Sequence, residues 1–195
     1  MRTAEIERKT NETEIKIQLN VDGTGQHRID TGVRFFDHML SQIAVHGSFD
    51  LEIQAKGDLE VDQHHVMEDV GLSLGLAFHQ ALGPKQGIER MGQAFVPMDE
   101  SLCHVIIDLS GRPYLVFLSE WEDTRVANIP VSLIEHFFYS FSMTAKATIH
   151  AQVLYGRDNH HKVEVLFKAL GRALKNAVKI DPTREDQIPS SKGVL

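Results

Sequence analysis

One cysteine stands among the 195 residues, so no disulfide can close within the chain. Cys103 therefore reads as a small buried apolar residue of a cytosolic protein. Nowhere does an apolar run approach the ~20 residues that a membrane-spanning helix needs. The start, Met1-Arg2-Thr3-Ala4-Glu5-Ile6-Glu7, carries acids where a signal peptide has its apolar stretch, and a cytoplasmic location is expected. Positive charge is short as well: 20 Lys and Arg against 27 Asp and Glu give a formal charge of −7. That balance argues against nucleic acid or an anionic membrane as a general partner. An anionic substrate then needs a local cluster of Lys and Arg. The remaining composition, 42% hydrophobic and 24% charged, is that of a soluble globular protein with one large domain or two small ones. Histidine is the residue in excess, with eleven copies against the single cysteine.

The chain reads twice. Alternation over Thr13–Val21 puts Ile15, Ile17, Leu19 and Val21 on one face of a strand, and Asp22-Gly23-Thr24-Gly25 turns it towards a second strand over 26–30, as a hairpin. Helical spacing follows over 33–45, a strand over 49–55, and a second helix over 65–82 that Gly83-Pro84 stops. Residues 89–96 form one more strand. The second half repeats the order: strands over 102–109 and 114–118, a helix over 130–145, a strand over 148–154 and a helix over 161–178.

The polar residues repeat with the elements. Asp37-His38 lies in the first helix of one half and Glu135-His136 in that of the other. His64-His65-Val66-Met67-Glu68 opens one second helix, and His160-His161-Lys162-Val163-Glu164 opens its counterpart. The gap from single histidine to doublet is 26 residues in one half (38 to 64) and 24 in the other (136 to 160). A lone His-His pair is expected by chance, and the bland reading is an exposed helix start with an ion pair. Two doublets in register, each followed by a glutamate on the same helical face, point instead to a divalent cation held by imidazole and carboxylate. Without thiolate ligands the candidates are manganese, iron or a zinc site of nitrogen and oxygen donors. His27, His46, His79, His104 and His150 lack a repeating carboxylate and are expected to be structural or solvent-facing.

Phe36-Asp37-His38-Met39-Leu40, Gly57-Asp58-Leu59, His64-His65 with Glu68-Asp69, and Asp108-Leu109-Ser110-Gly111-Arg112-Pro113-Tyr114 resemble the imidazoleglycerol-phosphate dehydratase family. So do Glu135-His136-Phe137-Phe138, His160-His161 with Phe167-Lys168-Ala169-Leu170, and the ending Pro189-Ser190-Ser191-Lys192-Gly193. The match runs in one colinear order from about Arg8 to the C-terminus, without an added phosphatase domain, as in the monofunctional form. It implies an α+β fold of duplicated ββαβα halves, each a four-stranded sheet with two helices on one face. The halves are expected at 1–96 and 97–195, the latter ending in a substrate-binding tail, together one compact unit.

The resemblance further implies a cytoplasmic hydro-lyase of histidine biosynthesis that turns imidazoleglycerol phosphate into imidazole acetol phosphate. Two Mn²⁺ ions per active site are implied, between subunits of a 24-subunit shell built from trimers. Their ligands would be His38, His64, His65, Glu68, His136, His160, His161 and Glu164, not divisible between the two ions from sequence. Metal on the substrate imidazole would stabilise an imidazolate, whose electrons expel the adjacent hydroxyl to give a diazafulvene. Glu12 is implied as the general base, although by sequence it is one of many surface acids. Arg90, Arg112, Lys168, Ser190 and Lys192 are implied for the phosphate, with Gln42 near the substrate. Lys168 falls at i+4 from Glu164 and shares its helix face, whereas Ser190-Ser191-Lys192 also reads as a frayed terminus. Two rivals stay open at this point: a di-metal hydrolase of a phosphorylated substrate, and a non-enzymatic metal-binding shell.

Overall fold

Alternating burial builds the first sheet. In the computed structural model, which describes residues 1–195, strand β2 (Thr13–Asn20) buries Ile15, Ile17 and Leu19 and leaves the residues between them in water. It pairs antiparallel with β1 (Thr3–Lys9) on one side and β4 (Asp50–Gly57) on the other, and β3 (His27–Asp30) runs parallel to β4 at the edge. The order is β1-β2-β4-β3. The second sheet is β5-β6-β10-β7, from β5 (Met91–Met98), β6 (Ser101–Asp108), β7 (Tyr114–Leu118) and β10 (Thr148–Tyr155). It repeats the pattern of two antiparallel pairs and one parallel edge. A small ribbon of β8 (Arg125–Val126) and β9 (Ile129–Pro130) precedes the third helix.

Three details depart from the sequence expectation. Residues 27–30 do not form a hairpin with β2; they pair in parallel with β4. Asp50 explains this, because its Oδ1 accepts from the N–H groups of Thr24 (2.8 Å) and Gln26 (3.1 Å) and draws the turn across to the start of β4. Strand β1 has no counterpart in the expected order. It is an edge strand that buries only Ile6, so its alternation is faint. Strand β5 hydrogen-bonds to β6 in the second sheet, so each sheet gains its fourth strand from a preceding antiparallel arm.

Helices α1 (Arg34–Gly47) and α2 (His64–Leu82) pack on the first sheet, α3 (Val131–Ala145) and α4 (Asn159–Val178) on the second. The helices also pack on each other across the halves, α2 with α3 and α1 with α4, which joins the layers through one core of 51 buried residues. Phe36, Phe137 and Phe167 meet at its centre, with ring centroids 5.3 and 5.1 Å apart. Glycine sets the closeness of both crossings. A Cβ on Gly75 would lie 2.9 Å from Ala145 N, and one on Gly171 would lie 2.8 Å from Ile43 O. No helix is long and apolar enough to cross a membrane.

Candidate metal centres and their surroundings

The helix crossings bring the histidines together in two groups, each built from both halves. On α2, His64 and Glu68 are one turn apart, and His136 of α3 faces them. On α4, His160 and Glu164 stand in the same relation, and His38 of α1 faces them. In each group the candidate ligand atoms lie within 4.8 Å of one another. Each second helix thus supplies a histidine and a carboxylate, and the opposite half's first helix supplies the third donor. It is the first histidine of each doublet, at i to i+4 from the glutamate, that joins the group. The second histidine turns away.

The two groups differ in detail. Glu164 Oε2 lies 3.2 Å from Nε2 of both His38 and His160, and its Oε1 takes the Lys168 ammonium at 2.7 Å. Burial pushes this carboxyl up, but Lys168 and His38 outweigh it and hold it below the ordinary carboxylate range. In the other group Glu68 Oε1 is 3.3 Å from His136 Nε2, and Glu68 Oε2 is 4.0 Å from His64 Nε2. His136 Nε2 is buried without a hydrogen-bond partner. A buried imidazole nitrogen left unpaired beside a carboxylate and a second imidazole fits a divalent cation, which would satisfy it. Thiolate ligation is not on offer. Cys103 is buried, its Sγ donates to Val165 O, and burial pushes its pKa up to about 12.

His65 and His161 form matching outposts. His65 Nδ1 donates to Asp58 (3.0 Å) and its Nε2 faces Glu12 at 3.8 Å; His161 Nδ1 donates to Glu100 (2.8 Å) and its Nε2 faces Asp99 at 3.8 Å. Glu12 sits on the turn between β1 and β2, whose shape Thr10 fixes by accepting from the N–H groups of Glu12 and Thr13. Asp69, buried on α2, ties that turn down: it accepts from Thr13 Oγ1 (2.5 Å) and from Arg8 Nε (2.8 Å).

A third group gathers where the tail returns. Arg90 gives its Nε and Nη2 to Asp108 (2.7 and 3.0 Å) and its Nη1 to Pro189 O (2.8 Å). A cleft of 460 Å³ is lined here by Arg90, Arg184, Ser190 and Ser191, among others. Lys192 N donates to Ser190 Oγ, and the C-terminal Leu195 comes up against Gly111, next to Arg112. Lys168 lies instead with the Glu164 group, as does Gln42, whose amide is 3.3 Å from His38 Nδ1.

Asp37 and Glu135, the acids that precede the single histidines, are not donors to either group. Asp37 accepts from Thr31 N–H and Oγ1 at the entry to α1, and Glu135 is exposed. Reading the sequence missed Asp58 as a partner of His65, although seven residues separate them, and missed Glu100 altogether. Nothing local could have found Glu100, because it stands 61 residues from the histidine that it holds.

Comparison with known proteins shows the family and the fold. The family model for imidazoleglycerol-phosphate dehydratase matches residues 31–174. The imidazoleglycerol-phosphate dehydratase of Lacticaseibacillus casei is 53% identical over 195 residues, covering all of both chains. Among solved structures, that of the Pyrococcus furiosus enzyme in complex with (S)-C348 superposes with a TM-score of 0.85 at 35% identity, covering 97% of this chain and 100% of that one. The Staphylococcus aureus enzyme gives 0.83 at 34% identity, over 92% and 99%.

Proposed function

The chain belongs to the imidazoleglycerol-phosphate dehydratase family, and we propose that it removes water from imidazoleglycerol phosphate to give imidazole acetol phosphate in histidine biosynthesis. Membership makes it a hydro-lyase and disposes of the hydrolase and the non-enzymatic shell. The observation that carries the mechanism is the pair of His-His-Glu groups, one of them with an orphaned buried nitrogen. We assign one Mn²⁺ to each group, with His65 and His161 as further ligands. The donors are nitrogen and oxygen throughout, which suits manganese.

When bound, the divalent cations supply Lewis-acid stabilisation of the deprotonated substrate ring. The chain's own residues do the rest. Glu12, half-exposed on its turn, takes the proton from the carbon next to the one that loses hydroxyl. Arg90 has three of its five N–H donors committed to Asp108 and Pro189, which orients the remaining two towards an anion. Arg112, Lys168, Ser190 and Lys192 complete the phosphate pocket that an acidic chain must build locally, and Gln42 lies against the substrate. Lys168 bridges the two tasks through its ion pair with Glu164.

We also read the molecule as a homo-oligomer, a 24-subunit shell built from trimers. Two observations support it. His65 and His161 stand outside the groups formed within one chain, so a second copy can use them. The outer face of the second sheet also exposes large apolar side chains, Phe95 and Tyr114 among them.

The test is turnover of imidazoleglycerol phosphate by chelated protein, before and after Mn²⁺ is restored. Metal-dependent keto product with phosphate retained supports the proposal. Absence of product from fully remetallated protein overturns it.

A further inference from the structure

The two second-doublet histidines are held alike by unlike means. His65 Nδ1 lies 3.1 and 3.0 Å from the two oxygens of Asp58, which stands in the connection between β4 and α2. His161 Nδ1 lies 2.8 Å from Glu100 Oε2, which comes from the turn between β5 and β6. Neither carboxylate is the sequence counterpart of the other: one precedes its histidine by seven residues and the other by 61. Convergence from different elements on the same ring nitrogen, in both halves, indicates that the ring orientation itself is what matters.

We infer that Asp58 and Glu100 are positioning residues that fix the tautomer of His65 and His161, so that each ring offers Nε2 as its ligating nitrogen. A carboxylate accepts and does not donate, so the proton of the neutral ring must sit on Nδ1 and the free lone pair on Nε2. The arrangement is that of an outer partner behind a metal-ligating histidine, which fixes the ring and raises its basicity. Glu100 is itself held, since its Oε1 accepts from the N–H groups of Arg157 (3.1 Å) and Asp158 (2.9 Å) at the start of α4. On the opposite side Glu12 and Asp99 face the two Nε2 atoms at 3.8 Å, beyond hydrogen-bond reach. Nε2 is therefore not spoken for within the chain.

The inference rests on the reading of His65 and His161 as metal ligands, and the experiment separates the two. Full-length protein is stripped of metal, free Mn²⁺ is followed by electron paramagnetic resonance during titration, and ring tautomers are read from long-range ¹H–¹⁵N spectra. Asp58 is the cleaner target, because Glu100 also secures the start of α4. D58A is expected to weaken Mn²⁺ binding by ~10–100-fold, the usual worth of an outer partner, and to release His65 into a mixture of tautomers. D58N, whose amide oxygen still accepts from Nδ1, is expected to fall between D58A and the unaltered protein. E100Q is expected to act in the same way on His161, with a thermal melt to check that α4 is intact. Unchanged Mn²⁺ binding and an unchanged Nδ1–H tautomer in D58A would overturn the inference. Unchanged Mn²⁺ binding in H65A would instead overturn the ligand assignment beneath it.

Discussion

On the outer face of the first sheet, successive rungs read Glu5, Gln18 and Glu52, then Glu7, Lys16 and Gln54, then Lys9, Glu14 and Lys56. The matching rungs of the second sheet read Gln93, Ile106, His150 and Val116, then Phe95, His104, Gln152 and Leu118. Lys16 pairs with Glu7 at 2.8 Å, and Lys9 with Glu14 at 3.1 Å, as cross-strand charges do on a solvated face. In the second sheet Phe95 is 58% exposed and stacks on His104 with ring centroids 3.7 Å apart. Strand order, pairing sense and helix packing are the same in both halves, so the fold constrains the inward positions of each strand and leaves the outward ones free. Divergence collects there. The charged face suits water, and the aromatic and aliphatic one suits a covering neighbour.

The sharpest contrast between the halves lies at the carboxylates near the histidines. Glu12 belongs to one half only in its assigned role as base, whereas Glu68 and Glu164 are counterparts. E12Q is expected to retain both metals and lose turnover by ~10²–10⁴-fold, the range of general-base catalysis. E68Q and E164Q are each expected to lose metal at one group, by similar amounts, with turnover falling in step. Metal content beside kcat distinguishes these outcomes. Near-normal turnover in E12Q would remove Glu12 from the mechanism, and full metal content in either E68Q or E164Q would break the equivalence of the two groups.

A second comparison sets the outer faces against each other. F95D is expected to reduce the assembly to smaller species, at a cost on the order of 2 kcal/mol per copy, as when a buried aromatic anchor is lost. Q18D, on the solvated outer face of the first sheet, is expected to leave particle size unchanged. Sedimentation velocity of metal-loaded protein reads both. Equal sizes for F95D and the unaltered protein would mean that the apolar face is not where copies meet.

How much of this was legible in the sequence follows from the range of each interaction. Period-two burial in β2, β4 and β6 and helical spacing in α1 to α4 are local signals, and they locate those elements to within two or three residues. Strand β1 escaped because one buried isoleucine makes no pattern, and β3 was misassigned because Asp50, twenty residues on, decides its partner. The histidine doublets announced metal chemistry, since His64 with Glu68 and His160 with Glu164 are one helical turn apart. Which single histidine completes which group depends on the crossings of α2 with α3 and α1 with α4. That is tertiary information, and the answer is the opposite half in both cases. The same limit hid Glu100 behind His161 and Asp69 beneath the Glu12 turn.

Those crossings give the last and smallest test of the likeness between halves. Gly75 and Gly171 follow their doublets by the same interval, from His64 and from His160, and each lets one helix backbone approach another. At Gly75 an added methyl would meet Phe141 O, Ala145 N and the Thr144 hydroxyl; at Gly171 it would meet Ile43 O at 2.8 Å and Gln42 O at 3.2 Å. Backbone atoms cannot step aside as a flexible side chain can, so the helices must part. Overpacking of this kind costs ~1–3 kcal/mol. G75A is expected at the upper end, because a hydroxyl is displaced as well, and G171A below it. Chemical denaturation midpoints of the two variants would measure the difference. G171A should also loosen Mn²⁺ at the His38 group, since Gln42 lies one turn along α1 from His38, whereas G75A should act on the His136 group through α3. Loss at the same group in both variants would show that the crossings are not independent, and that the halves are coupled more tightly than their repeated design requires.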